Sequence, residues 1–275
     1  MTRGTVVALV GLWVHLLGVA TLGAQVSVEE LEVHLQLRRD TAALTQVIPV
    51  RNEETRAQQV RITMGDWVRD AFGSNQFLAA NSTPNACGQR LQVFPSTFQV
   101  APGATEFVRV TYSPAPADTG CWAIAFVETV QPPVPRPDGQ GSFLTLEIRT
   151  GVKVYVHRAN PLREALVQDA EVAMRWRTKD PASGTRDSVL VREATVLLAN
   201  SGTAHLRVKT TLEIRDREAK LLETIDGGAV PMTPGAARFI PIRIPPLPSG
   251  EYIAVMLLDY GGDEIAAAQL DFRIP

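Results

Sequence analysis

After an opening apolar run, the hydrophobic positions of this chain fall in short stretches, not in long helical periods. Val47, Val50, Val60, Ile62 and Met64 sit in brief apolar segments between charged turns. Phe107-Val-Arg-Val-Thr-Tyr112 and Cys121-Trp-Ala-Ile-Ala-Phe-Val127 follow, each bounded by Pro, Gly, Asn or Asp. β-branched and aromatic residues mark these runs as strands, and their spacing predicts an all-β sandwich architecture. Only Pro161 to Asp169 reads as briefly helical.

One pattern occurs twice. Val100-Ala-Pro-Gly103 precedes Phe107-Val-Arg-Val110 and then Gly120-Cys-Trp-Ala-Ile-Ala-Phe126. Met232-Thr-Pro-Gly235 precedes Phe239-Ile-Pro-Ile242 and then Gly250-Glu-Tyr-Ile-Ala-Val-Met256. Pro-Gly makes a tight turn that Gly completes with positive φ. Upstream, Val50-Arg-Asn52 and Leu198-Ala-Asn200 each end a strand at an Asn turn. Four matched features in one order predict two tandem immunoglobulin-like sandwiches of one type, 25–158 and 159–275. The junction is expected between His157 and Ala165, where Asn160-Pro161 breaks the strand pattern.

Between the two units lies a Pro/Gly-rich stretch, Val130 to Ser142, which reads as a mobile exposed loop. After it, Leu144, Leu146, Ile148, Val152, Val154 and Val156 share one parity, interrupted only by Thr150. Thr145, Glu147, Arg149, Lys153, Tyr155 and His157 take the opposite face. As a single strand, Leu144 to Val156 spans roughly 40 Å. Typical strands hold about 5–6 residues, so this one has the length to reach past its own sheet. Period-two alternation reports burial but not the partner, so the apolar row serves either the chain's own core or another protein.

The opening run changes the compartment. Arg3, the apolar stretch Val6 to Ala20, and small residues up to Ala24 read as a secretory signal peptide over 1–24, cut after Ala24. No second long apolar run follows, so no integral membrane segment is expected after cleavage. Export puts Cys87 and Cys121, the two cysteines of the chain, in an oxidising compartment, where an even pair forms a disulfide. The alternative, a redox centre, lacks a Cys-x-x-Cys spacing. The formal net charge of -2 argues against a nucleic-acid partner. After His15 in the signal segment, His34, His157 and His205 are widely spaced in sequence. No hydrolase, zinc-protease, P-loop or dinucleotide fingerprint occurs, so the reading is of a non-enzyme without metal or cofactor. The acidic stretch Asp259 to Glu264 is read as a solvated hairpin turn, not a calcium loop.

Taken together, the loop and the alternating strand resemble the periplasmic pilus-assembly chaperones, the PapD-like family. Leu144, Leu146 and Ile148 match the family's alternating residues. Val152-Lys-Val-Tyr155 matches its later apolar-Lys-apolar-aromatic run, with Lys153 on the lysine position. Val130-Gln-Pro-Pro133 is similar to the apolar-Pro-Pro step before the loop. Ala199-Asn-Ser-Gly-Thr-Ala-His205 and Leu258-Asp-Tyr-Gly-Gly262 resemble the second domain's Asn turn and its Asn-Asp-Tyr-Gly ending. The resemblance implies a periplasmic chaperone whose partners are pilin-like subunits and an outer-membrane usher. It also implies that Leu144, Leu146 and Ile148 complete a subunit that lacks a strand, the donor-strand mode of β-augmentation. Lys153 then anchors the subunit's C-terminal carboxylate, which is costly to desolvate unless paired. The family's Thr-Arg pair has no match on the first strand, Val26 to Leu37, and Arg38 or Arg39 reaches that place only with a register shift. The contrasting reading is an exported structural or adhesive two-sandwich protein without chaperone activity.

Overall fold

The structure is a computed structural model, and it describes residues 26–38, 43–115, 118–129, 134–135, 143–144, 148–179 and 187–275. Residues 1–24, read above as a signal peptide, lie outside the described residues, as do Leu146 and most of the stretch 130–142.

The first half of the chain folds as β1 (Val26–Val28), β2 (Glu32–Gln36), β3 (Leu44–Asn52), β4 (Gln58–Arg69), β5 (Asn75–Ala79), β6 (Leu91–Phe94), β7 (Thr97–Val100), β8 (Thr105–Tyr112) and β9 (Cys121–Thr129). The short β10 (Val134–Pro135) and β11 (Phe143–Leu144) follow, then β12 (Arg149–His157). One sheet has the order β1-β3-β8-β6 and the facing sheet β2-β12-β9-β4-β5, with β7 also on β4. The predicted first strand therefore changes sheets. Val26–Val28 pairs with β3, whereas Glu32–Gln36 runs parallel to the end of β12.

The second half folds as β13 (Ala165–Thr178), β14 (Ser188–Asn200), β15 (Leu206–Asp216), β16 (Leu221–Met232), β17 (Ala237–Ile244), β18 (Gly250–Asp259) and β19 (Ala266–Ile274). Its sheets are β13-β14-β17 and β16-β15-β18-β19. The fold is all-β with two sandwiches, as the sequence predicts. The brief helix read over Pro161 to Asp169 is not formed: Ala165 to Asp169 belong to β13. Ala165 and Val167 pack on the second core, and pairing with β14 overrides the local helical preference.

Burial follows the pleat. Val33, Ile48, Val50, Val60, Val108, Val110 and Val152 fill the first core, and Val196, Leu198, Leu212, Ile214, Met256 and Leu258 the second. Each such side chain contributes about 1.5–3 kcal/mol of burial. Every residue of β9 is buried, because it is the central strand and is covered on both faces. Cys121, Ala123, Ala125 and Val127 point into the core, and Trp122, Ile124 and Phe126 into a second apolar cluster on the sheet's other side.

The repeated Asn and Pro-Gly signals build the same knot in both sandwiches. Asn52 Nδ2 donates to the carbonyls of Arg56 (2.8 Å), Val100 (3.0 Å) and Ala101 (3.2 Å), and its Oδ1 accepts the Glu54 N–H (2.9 Å). Asn200 Nδ2 donates to Ala204 (2.9 Å) and Thr233 (3.0 Å), and its Oδ1 accepts the Gly202 N–H (3.1 Å). The backbone N–H groups of Asn52 and Asn200 reach the carbonyls of Ala104 and Ala236, just past each Pro-Gly turn. Gly103 and Gly235 adopt φ of 66° and 75°, which the turns require. Cys87 and Cys121 form the expected disulfide, with Cα atoms 5.1 Å apart, tying the segment before β6 to the start of β9. At the other hairpin, Gly261 N–H bonds to Asp259 Oδ1 (2.9 Å) between β18 and β19, the turn chemistry read from the sequence.

Candidate protein-binding edge and the cleft beside it

The face opposite the first core is organised by odd-numbered residues of β12. Arg149, Gly151, Lys153, Tyr155 and His157 alternate with the buried Val152, Val154 and Val156. Tyr155 is not the solvated residue the alternation suggests. It is buried with Trp67, Trp122, Ile124 and Phe126. Cations cover this aromatic layer. The Lys153 ammonium lies 4.6 Å from the Trp67 ring centre, Arg69 5.5 Å from the same ring, and Arg149 4.6 Å from Phe126. Such placements stabilise a cation by about 0.5–1 kcal/mol at exposed sites and more when desolvated. Arg149 also reaches Glu128, which Arg61 holds at 3.0 Å. Burial pushes the Lys153 ammonium below its ordinary pKa, and the nearby Arg69 charge pushes the same way, against Glu32.

Lys153 and Arg149 form one wall of a groove whose other lining includes Leu31, Phe77, Ile124 and Phe126. Phe77 stands exposed and meets Phe126 edge to face. Arg69, which sequence reasoning did not single out, supplies the second cation beside Lys153. Its guanidinium donates to Asn75 Oδ1 (2.9 Å) and to the Pro231 carbonyl of the second sandwich (3.3 Å). Arg38 lies past the end of β2 and is exposed, and Arg39 is outside the described residues.

The backbone edge of β12 is divided. Its second half, Lys153 to His157, is covered by the parallel β2, beginning with the Lys153 N–H bond to the Leu31 carbonyl (2.9 Å). Its first half, Arg149 to Val152, pairs with β9 alone among the described residues. Ile148, immediately before it, is 38% exposed. Leu144 pairs through its backbone with Val134, and Pro135 with Phe143, in a two-residue ladder. The Pro/Gly-rich stretch thus contributes a short strand that the sequence reading excluded. Pro is tolerated there because an edge strand leaves its missing N–H unneeded. Leu146 falls outside the described residues, and the described strand begins at Arg149.

Beside the groove, a cleft of about 130 Å³ lies between the sandwiches, lined by His34, Tyr155 and His157 from the first and His205, Arg207 and Arg238 from the second. Lys153, which the resemblance makes the carboxylate anchor, lines the adjoining groove and not this cleft; Glu32 borders both. The three histidines, far apart in sequence, meet here. His34 Nδ1 and His157 Nε2 are 2.9 Å apart, and the His157 and His205 rings lie edge to face at 5.1 Å. Among the described residues no group of three His, Cys, Asp or Glu is arranged to hold a metal, and no helix is long and apolar enough to cross a membrane.

No family model matches the chain, and no curated protein matches it. Seven solved structures of fimbrial chaperones match over 90–93% of it at 10–14% identity. One, a chaperone–tip adhesin complex of CFA/I fimbriae biogenesis, has 11% identity, covers 92% of this chain and 100% of its own, and has a TM-score of 0.49. The class 5 fimbriae chaperone CfaA has 12% identity, covers 91% and 99%, and has a TM-score of 0.48. The Salmonella enterica SafA pilin–SafB chaperone complex has 14% identity, covers 93% and 99%, and has a TM-score of 0.40.

Proposed function

We propose that this protein is a periplasmic chaperone of pilin-like subunits that captures them by lending the strand Leu144 to Ile148. The observation that carries the reading is the backbone edge of Arg149 to Val152, left uncovered on one side among the described residues, directly after that apolar row in sequence. An edge of this kind offers N–H and C=O groups to an incoming strand, while alternate side chains enter the partner's groove. The row has the parity of Val152, Val154 and Val156, which fill the chain's own core. Extended as a continuation of β12, the row would turn the same apolar face toward a sandwich that lacks a strand. Lys153 anchors the subunit's terminal carboxylate in the adjoining groove, and Arg69 at the same indole adds the second positive charge. The subunit then passes to an outer-membrane usher. Residues 1–24 act as the export signal, and 25–158 and 159–275 as the two domains.

The test is capture of a co-expressed pilin-like subunit by Ile148→Glu and Leu146→Glu variants. Ile148→Glu is expected to melt within about 2 °C of the parent, as surface substitutions usually do. Capture should weaken by about 100-fold, because a carboxylate cannot enter an apolar groove unpaired. Lys153→Met should weaken capture of a subunit with a free C-terminus and leave capture of a C-terminally amidated one unchanged. Full capture by a folded Ile148→Glu and Leu146→Glu pair would exclude the donor strand.

A further inference from the structure

The cleft between the sandwiches has a second property, independent of any client. His34 on β2, His157 at the end of β12 and His205 between β14 and β15 form one continuous set of rings. His34 stacks on Tyr155 (5.0 Å) and on His157 (5.1 Å). His205 meets Tyr155 at 4.8 Å, His157 at 5.1 Å and Trp122 at 5.2 Å, each edge to face. Two of these rings belong to the first sandwich, and His205 enters from the second. Other ties across the joint among the described residues include the Phe239 N–H to the Ala71 carbonyl (2.8 Å), Arg69 to the Pro231 carbonyl, the stacked rings of Phe72 and Phe239 (5.2 Å), and Arg238 packed beside Gly73.

The geometry requires that at least one ring of the His34–His157 pair be neutral. The 2.9 Å contact between His34 Nδ1 and His157 Nε2 needs one donor and one acceptor. With both rings protonated, two N–H groups face each other. His205 Nε2 is buried with no hydrogen-bond partner, so a proton placed there has no acceptor. The surroundings repel added charge. Around the rings stand Arg69 from β4, Arg163 from the link between the sandwiches, Arg207 from β15 and Arg238 from β17, with Lys153 in the adjoining groove. Arg238 itself carries buried Nε and Nη1 atoms without partners. The acids nearby are Glu32 on β2, 3.8 Å from His34 Nε2, and Asp70 after β4, whose Oδ1 already accepts two backbone N–H groups. Tyr155 is held neutral by burial.

We propose that this joint is a proton-operated hinge: protonation of His157 and His205 in acidic surroundings parts the two sandwiches while each remains folded. Burial, followed by the neighbouring histidine and Arg163, pushes His157 down to about 4; burial and the other two histidines push His205 down to about 3. Depressed native pKa values mean that the closed joint is fully stabilised above the unconstrained value of 6.5. That stabilisation is lost as pH falls from there toward 4 and 3.

The test is a titration of the full chain from pH 7.5 to 3.5, followed by small-angle scattering, indole fluorescence and far-ultraviolet circular dichroism. The expected result is an increase in maximum dimension and a change in Trp122 emission, with the β signal retained. In a His157→Gln, His205→Gln double variant that melts normally at pH 7.5, the expansion should disappear. His34 is exposed, so His34→Gln is expected to fold if the buried pair of substitutions does not. It removes the ring that faces His157 Nε2 and should therefore move the transition to a different pH. Constant dimensions down to pH 3.5, loss of the β signal together with expansion, or an unchanged transition in the folded variants would each overturn the hinge.

Discussion

Replacing Asn52 by alanine tests whether the repeated Asn and Pro-Gly signals hold each sandwich together. Asn52 is fully buried, and its amide ties the end of β3 to the Arg56 turn and to the Pro-Gly turn after β7. Truncation removes those bonds and the one from the Glu54 N–H. It leaves the carbonyls of Arg56 and Val100 without that donor. Counting three well-formed bonds at about 1 kcal/mol net each gives a loss of about 3 kcal/mol. At about 4 °C per kcal/mol for a domain of this size, the first sandwich should melt about 12 °C lower. Asn200→Ala should do the same to the second sandwich, since its bonds repeat the pattern. Calorimetry of the full chain with the disulfide intact reads both. Asn52→Asp adds a control that keeps the acceptor but turns an oxygen toward the three carbonyls. It should be worse than alanine at pH 7 and recover as the carboxyl gains a proton. A loss under about 1 kcal/mol in Asn52→Ala would refute the knot as a structural determinant.

Three further outcomes are expected. Changing both Cys87 and Cys121 to serine should cost roughly 3–4 kcal/mol in urea denaturation, from the lost closure of a loop with a separation of 34 residues. Asp118 accepts hydrogen bonds from the Tyr112 hydroxyl (2.6 Å) and Arg90 (2.8 Å). Burial alone would raise its pKa, but the bonds from Tyr112, Gly120 and Ala115 and the Arg90 charge outweigh it, so the carboxyl sits below its ordinary 3.8. Its contribution is therefore present above pH 3.8 and lost as pH falls through the lower native value, and Asp118→Asn should flatten that part of the stability profile, measured by denaturation at fixed pH steps. Gly151→Val should disturb the groove, because a Cβ there comes within 2.7 Å of Ile124 Cδ1; a variant with parental melting and client capture would contradict this.

The sequence revealed most where one residue type has one structural use. An uninterrupted apolar run at Cys121 to Val127 reads as a strand buried on both faces, and β9 is that strand. Asn followed downstream by Pro-Gly reads as a turn, and both copies close the same way. The reading failed where partners far apart in sequence decide. Ala165 to Asp169 is helical only in isolation, and pairing with β14 makes it a strand. The histidines could not be grouped from spacing alone, because their meeting requires β2 to lie parallel beside β12 and the second sandwich to dock there. A weak signal did exist: His34 alternates with the core residues Val33 and Leu35, and His157 follows Val156, so both had to face away from the core.

The same limit applies to the proposed donor strand, for a physical reason. A pleated strand states which of its faces avoids water, and nothing in the pattern says whose core receives that face. Val152, Val154 and Val156 spend the alternation on the chain's own sandwich. Their neighbour Ile148 has the same chemistry and parity but remains 38% exposed, beyond the point where β2 covers the edge. The change falls before Val152, which is fully buried although β2 pairs only from Lys153 onward. An apolar edge left open is an aggregation hazard that proteins normally cover or charge. Here the flanking charges, Arg149 and Lys153, point to the opposite face, so they do not protect the apolar row. An edge with its protection displaced to the other face is suited to a partner strand, and the Ile148→Glu variant moves a charge onto the row itself.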